Sequence, residues 1–393
     1  MANTFITPTM LTREFLRILH QKLNFVGNVN RDYDDAFAKK GAKIGTSLNI
    51  RLPNQFPIRT GASLSTQDIT EGYTTLTAST QKGVDFTFSS VELTMQIDDF
   101  AKRYLEPAAA VLAANIEADA LNMVKDVYQG VNNIGSALTF NKLMTGRKVL
   151  NDALAPMDGR TALLNTQDNV DLVDALKGLF QDSGAVKEQY REGSMGRTAG
   201  FDFYENTLLA SQTTGSDASN CTINGATQTG ASITITNGSS KTFKQGDIVT
   251  FAGCTRVHPE TKTDTGVLQQ FVVTADISAG GTTMTISPAI VTSGGKQNVA
   301  ASPTNGGTIT KVGSASGVYK PSLLFHKDAF TFATADLQMP EGVDFAARQV
   351  MDGISCRVVR QYAISTDTFP CRLDILYGYK TIRPELAVRL LSN

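Results

Sequence analysis

The chain has 393 residues, 41% of them hydrophobic and 19% charged, with a formal net charge of -1 at pH 7. That composition suits a folded core of two or three domains and supplies no overall charge to draw the chain to nucleic acid or an anionic membrane. No apolar run approaches the roughly 18 residues of a membrane-spanning helix. The N-terminus MANTFITPTMLTREFLRILHQ lacks the apolar block of a signal peptide.

Taken in chain order, Leu11, Phe15, Ile18, Leu19 and Leu23 recur at helical spacing and predict an amphipathic helix over Thr9 to Asn24. The polar, glycine-punctuated NVNRDYDDAFAKKGAKIG follows, and residues 1–45 read as an N-terminal arm lying over another surface. Residues 46–90 change to strand patterns (LNIRLP, FPIRTG, TTLTAST, GVDFTFSS) punctuated by Pro53, Pro57, Gly61 and Gly72. Few large apolar side chains lie between Arg59 and Ser79. Such a stretch has no core of its own, which predicts a projecting two-stranded loop that gains stability from neighbours.

The run DDFAKRYLEPAAAVLAANIEADALNMVKDVY, residues 98–128, predicts a long spine helix. Ala109, Leu112, Ile116, Ala120, Met123 and Val127 share one face. Asp98 or Asp99 caps its start, and Pro107 either bends it near Arg103 or separates a short helix from it. A helix at Phe140 to Leu154, a buried strand RTALLN, a helix at Asp168 to Phe180, a polar loop SGAVKEQYREGSMGRTAG and an extended FDFYENTLLA complete residues 91–210.

Composition shifts again near Ser211. Through residue 312 the strands SITIT, DIVTF, LQQFVVTADI, TTMTISPAI and GTITKV follow one another between Gly, Ser, Asn and Pro turns. This spacing predicts a small β-barrel or sandwich. In FKQGDIVTFAGC, a turn at Gln245-Gly246-Asp247 feeds the strand from Ile248. Residues 313–393 return to a mixed pattern and end in a strand, a turn at Pro384 and a closing strand. The β module therefore sits inside another domain, like a bead strung on a loop.

No residue set reads as catalytic. His20, His258 and His326 lie in unrelated contexts, and no phosphate-loop, dinucleotide or nucleophile-elbow motif is present. REGSMGRTAG reads as a flexible loop, and the Asp98-Asp99 pair as a helix cap. Cys221, Cys254, Cys356 and Cys371 have neither CxxC spacing nor a neighbouring histidine, and read as free thiols of a reducing cytoplasm. No cofactor or metal is expected. Positive charge along the arm and loop (Lys39, Lys40, Lys43, Arg51, Arg59) faces two readings: simple solvation, or ion pairing between subunits with Asp32, Asp34, Asp35 and the Asp68 to Glu71 patch. The candidate intersubunit contacts are Arg51, Arg59, Asp68, Glu71, Asp32 and Lys39.

In order, VNRDYDDAF with GAKIGTSLNIRLP, then SSVELTMQIDDFAKRYLEPAAAVLAANIEADAL, then FKQGDIVTFAGC with FVVTADI and TMTISPAI, and the closing YGYKTIRPELAVRL, resemble the major capsid proteins of tailed bacteriophages. The likeness is greatest to the coat-protein family of short-tailed Salmonella-type phages, and it covers nearly the whole chain. It implies an α+β tailed-phage capsid fold: arm, extended loop, spine helix, peripheral and axial domains, with an all-β domain inserted at 211–312. It implies self-assembly into pentamers and hexamers of an icosahedral head around double-stranded DNA held without sequence specificity. A scaffolding protein and portal would be partners, no membrane would be involved, and assembly would take place in the host bacterial cytoplasm. The rival readings are another β-rich virion protein of tail or decoration type, and a carbohydrate-binding or hydrolytic protein.

Overall fold

A computed structural model describes residues 23–32, 47–56, 58, 61–63, 71–89, 106–176, 197–216, 218–238, 240–351 and 354–392. The contacts divide the chain into two units. One comprises Met1–Ile50, Tyr73–Leu121 and Phe330–Lys380, and the other Arg51–Gly72, Asn122–Ala329 and Thr381–Asn393.

In the first unit, α1 (Glu106–Leu121) is alanine-rich and carries Pro107 in its first turn, where the missing N–H costs nothing. The expected apolar face is the buried one: Ala109, Leu112, Ile116 and Ala120 are all at most 2% exposed. The α-helix does not run to Tyr128. It tightens into a 3-10 turn at Asn122–Asp126, a common way for a helix to end before the chain changes direction into a strand. The expected cap at Asp98 or Asp99 and bend near Arg103 lie outside the described residues.

Beside α1 stands a five-stranded sheet in the order Phe330–Ala335, Thr368–Thr381, Ile354–Arg360, Phe345–Met351, with Thr80–Ser89 also pairing Thr368–Thr381. Thr80–Ser89, grouped with the projecting loop by its sequence, is thus a sheet strand, in register from Thr80↔Tyr377 to Ser89↔Thr368. Alternation identified it as a strand but not its partner. Gly83 explains the fit. A side chain there would collide with the Leu373 carbonyl and the Asp374 carboxylate. The buried Asp374 is held by Arg357 Nη2 and Arg372 Nε, each at 2.7 Å. Tyr377 donates to Asp119 Oδ2 at 2.5 Å and Lys82 lies 2.7 Å from the same oxygen, joining α1 to the sheet. Strands Ser47–Arg51 and Tyr73–Thr77 form a separate two-stranded ladder.

The second unit holds a seven-stranded sheet ordered Gly130–Asn132, Ala387–Ser392, Val318–His326, Arg160–Leu164, Phe201–Glu205, Arg197–Thr198, with Gln212–Thr213 pairing the Val318 strand. Arg160–Leu164 is buried at every position, as RTALLN implied. Two helices accompany this sheet, α2 (Phe140–Asp152), capped by Thr139, and α3 (Thr166–Leu176). The Asn165 side chain caps α3 by accepting from Asp168 N at 2.8 Å. Asp168 accepts in turn from Asn165 Nδ2 at 2.9 Å and from the hydroxyls of Ser322 and Ser392, so one carboxylate ties α3 to both central strands.

Within the stretch expected to be the β module lies a six-stranded sheet ordered Ile309–Lys311, Ile248–Val257, Asp264–Val273, Thr283–Ile290, Gly230–Thr236, Thr222–Ile223. Ile223 N donates to Gly307 O and Ile309 N to Cys221 O, at 2.9 and 3.0 Å, so the last strand bonds back toward the first. Inside lies a dedicated core that includes Ile233, Ile235, Phe243, Val249, Met284 and Ile286. The Phe251 and Phe271 rings stack there at 5.2 Å.

Candidate assembly surfaces

Of the six candidate contacts, the structure brings two together. Arg51 lies 3.4 Å from Glu71, and Leu52 N donates to Gly72 O at 2.8 Å beside them. Both side chains are largely exposed, so the pair adds little stability by itself. Beyond it, Phe56 is 64% and Ile58 86% exposed. Asp32 stays within its own turn: its N–H donates to Asn30 Oδ1 at 2.8 Å and its carboxylate accepts from Asn30 Nδ2 at 3.1 Å. Arg59, Asp68 and Lys39 lie outside the described residues, as do Asp34, Asp35, Lys40 and Lys43.

The arm segment that is described, 23–32, does not wait for another molecule. Leu23, Phe25, Val26 and Val29 are buried on their own unit. Phe25 meets Phe330 edge-on at 5.5 Å, and Asn30 bridges in parallel to Thr331. Glu117 on α1 accepts the backbone N–H of Asn24 at 3.0 Å and of Phe25 at 2.5 Å. Sequence reasoning missed Glu117. The signal was its place four residues after Ala113 and four before Leu121, on the buried side of α1, where a carboxylate needs buried donors.

The stretch expected to form the β module also packs against the rest of its unit. It leaves and rejoins the body at one place, where Val318 pairs with Thr213 and Thr214 N donates to Gly317 O at 2.9 Å. Ile248 packs with Tyr319 and Leu391 of the body, against Ile134 and Val312. Arg256 Nη2 reaches Asp152 Oδ2 of α2 at 3.2 Å. At the turn anticipated in FKQGDIVTFAGC, the Asp247 carboxylate accepts from Lys244 N at 2.8 Å and from Gly215 N at 3.0 Å. Gln212 links that turn to the buried Arg389, accepting from its Nη1 at 2.9 Å.

The described histidines and the cysteines sit in turns and in the core. His258 Nδ1 accepts the N–H groups of Glu260 and Thr261 in its turn, at 3.3 and 3.2 Å. His326 is buried at a strand end, and desolvation pulls its imidazole below the usual 6.5. His20 lies outside the described residues. All four cysteines are free and buried. Burial pushes the thiol of Cys254 up to about 12 and that of Cys371 up to about 11, far from a reactive thiolate. Among the described residues no His/Cys/Asp/Glu group has the arrangement to hold a metal, and no helix is long and apolar enough to cross a membrane.

A chain of Mycobacterium phage Che8 is similar at 15% identity and a TM-score of 0.51, covering 94% of this chain and 90% of that one. The capsid structure of cyanophage P-SCSP1u is similar at 12% identity and a TM-score of 0.44, over 95% of this chain and 98% of that one. The I-domain of the CUS-3 coat protein is 27% identical with a TM-score of 0.19, over 24% of this chain and 96% of that one. No curated protein matches the chain significantly. The fold, mixed α and β, is one shared with that Mycobacterium phage Che8 chain. More particularly, the model of the family described as P22 coat protein - gene protein 5 matches residues 2–391, and the chain belongs to that family. It is a major capsid protein, a virion component from which the icosahedral head is built.

Proposed function

We propose that the chain assembles by laying its extended loop onto neighbouring copies, with no catalytic step. The observation that carries this reading is the bare apolar pair Phe56 and Ile58, held out beyond the Arg51–Glu71 root. An exposed apolar pair on a loop with no core of its own gains burial only from another molecule. Residues 46 to about 79 act as that loop and residues 1–45 as the arm. Residues 91–210 and 313–393 form the peripheral and axial domains, and residues 211–312 the barrel-like insertion domain, whose strands bond back from Ile309 to Cys221. Arg51, Glu71 and Asp32, with Arg59, Asp68 and Lys39, serve contacts between copies. Pentamers and hexamers of the chain enclose double-stranded DNA without reading its sequence, as the near-zero net charge permits. A scaffolding protein and a portal complete the head, which is assembled in the host cytoplasm.

Negative-stain microscopy of the purified chain, with and without a scaffolding partner, tests this. Shells or capsomer rings are expected from the natural sequence. Phe56→Ser with Ile58→Ser should leave subunit stability within about 0.5 kcal/mol and abolish shells. Normal shells from that double variant would remove the loop from the assembly mechanism.

A further inference from the structure

The strand Gly130–Asn132 ends the seven-stranded sheet of the body, parallel to Ala387–Ser392. Arg389 N donates to Gln129 O and Asn133 N to Leu391 O, both at 2.9 Å. Residues 129 and 133 therefore face the neighbouring strand, and the backbones of Gly130 and Asn132 face outward. An outward strand backbone is a template for pairing with another chain. Here it is taken. Gly130 N donates to Gln270 Oε1 at 2.8 Å, and Gln270 Nε2 donates back to Gly130 O at 3.0 Å. The carboxamide of a module residue stands where the backbone of one more strand would stand. Lys142 Nζ of α2 donates to Asn132 O at 2.9 Å. Gly130 lets the module come close: a side chain there would meet the Cδ1 of Ile248, which would have to turn aside.

We propose that the module is an edge guard. Gln270, aided by Lys142, occupies the outward backbone of Gly130–Asn132 and keeps that edge from pairing with a second copy of this chain. The guard acts on single copies before they join, so it stands apart from the loop-to-neighbour reading and survives that reading's failure.

The test refolds the full chain from denaturant over a range of concentrations. Gln270→Leu keeps the stem of the side chain and removes its amide. It should speed amide exchange at Gly130 about tenfold, as loss of one or two hydrogen bonds implies. It should also raise light scattering several-fold, increasingly with concentration. Combined with Asn132→Cys, it should give a disulfide between copies that Asn132→Cys alone does not give. Lys142→Ala should add to the effect. Arg256→Ala loosens the module without uncovering the edge, and should leave scattering at the natural level. Unchanged exchange at Gly130 would overturn the proposal. So would faster exchange without scattering and cross-linking, or equal scattering from Arg256→Ala. Should Gln270→Leu not fold, Gln270→Asn, one methylene too short to reach, carries the same comparison.

Discussion

The arm segment 23–32 and the loop around Phe56 look alike as sequence: polar, glycine-punctuated, with a scattering of apolar side chains. In the fold they are opposites. The arm segment seats Phe25 against Phe330 and hands its backbone N–H groups to Glu117. The loop holds Phe56 and Ile58 out in solvent. Ordering either backbone costs roughly 1–2 kcal/mol per residue. For the arm segment that cost is offset within the chain. For the loop, on the proposed function, it is offset by a neighbour. Composition alone does not separate a tethered extension from one that awaits a partner. The landing place of two or three apolar side chains does.

That contrast can be broken most directly on the arm side. Phe25→Ala should cost the isolated subunit about 3–5 kcal/mol in chemical denaturation. A cost below 1 kcal/mol would mean the arm segment is not anchored at all. Glu117→Ala should cost about 2–4 kcal/mol, because the N–H groups of Asn24 and Phe25 lose their buried acceptor. Glu117→Gln, which keeps a carbonyl oxygen in place, should recover part of the loss. Equal loss in both variants would argue that packing, not the anchor, was measured.

A pH ramp sharpens the contrast from a third place, because His326 belongs to neither extension. Its folded pKa lies below the ordinary 6.5 through burial, so the unfolded chain binds the proton more readily. The stability tied to the neutral ring is therefore present above about pH 6.5 and is lost as pH falls toward the depressed folded value. Denaturation midpoints should show this decline equally in the natural chain and in Glu117→Ala, and not in His326→Gln. The smallest effect belongs to the loop. Arg51→Ala should change subunit stability by less than about 0.5 kcal/mol, and its consequence should be sought in shell yield instead.

Much of the architecture was legible because periodicity reports burial. The face of α1 from Ala109 to Ala120 followed from three-four spacing, and RTALLN and the module strands from β-rich runs between turns. Partners were not legible. GVDFTFSS alternates equally well in a projecting loop and in a sheet, and only the ladder from Thr80↔Tyr377 to Ser89↔Thr368 shows which strand it joins. The end of the helix at Leu121 was missed because Met123 and Val127 continue the apolar pattern through a 3-10 turn that buries Met123 and the stretch beyond it that buries Val127. Glu117 and Gln270 went unremarked in the sequence, since a polar side chain reveals nothing about a backbone acceptor or donor that is distant in sequence: Glu117 meets Phe25 across 92 residues and Gln270 meets Gly130 across 140. Of the candidate contacts, Arg51 meets Glu71 within its own chain and Asp32 bonds Asn30 in its own turn; charge alone does not tell a pair within one subunit from a pair between two.

The burial of Cys221, Cys254, Cys356 and Cys371 has a practical corollary. The folded subunit offers a silent background for maleimide or spin-label chemistry. A reporter attached through one cysteine introduced on the loop or on the module would mark that spot alone, without first stripping the native sulfur. Fluorescence distances between such marks would follow subunits from the free state into the finished particle.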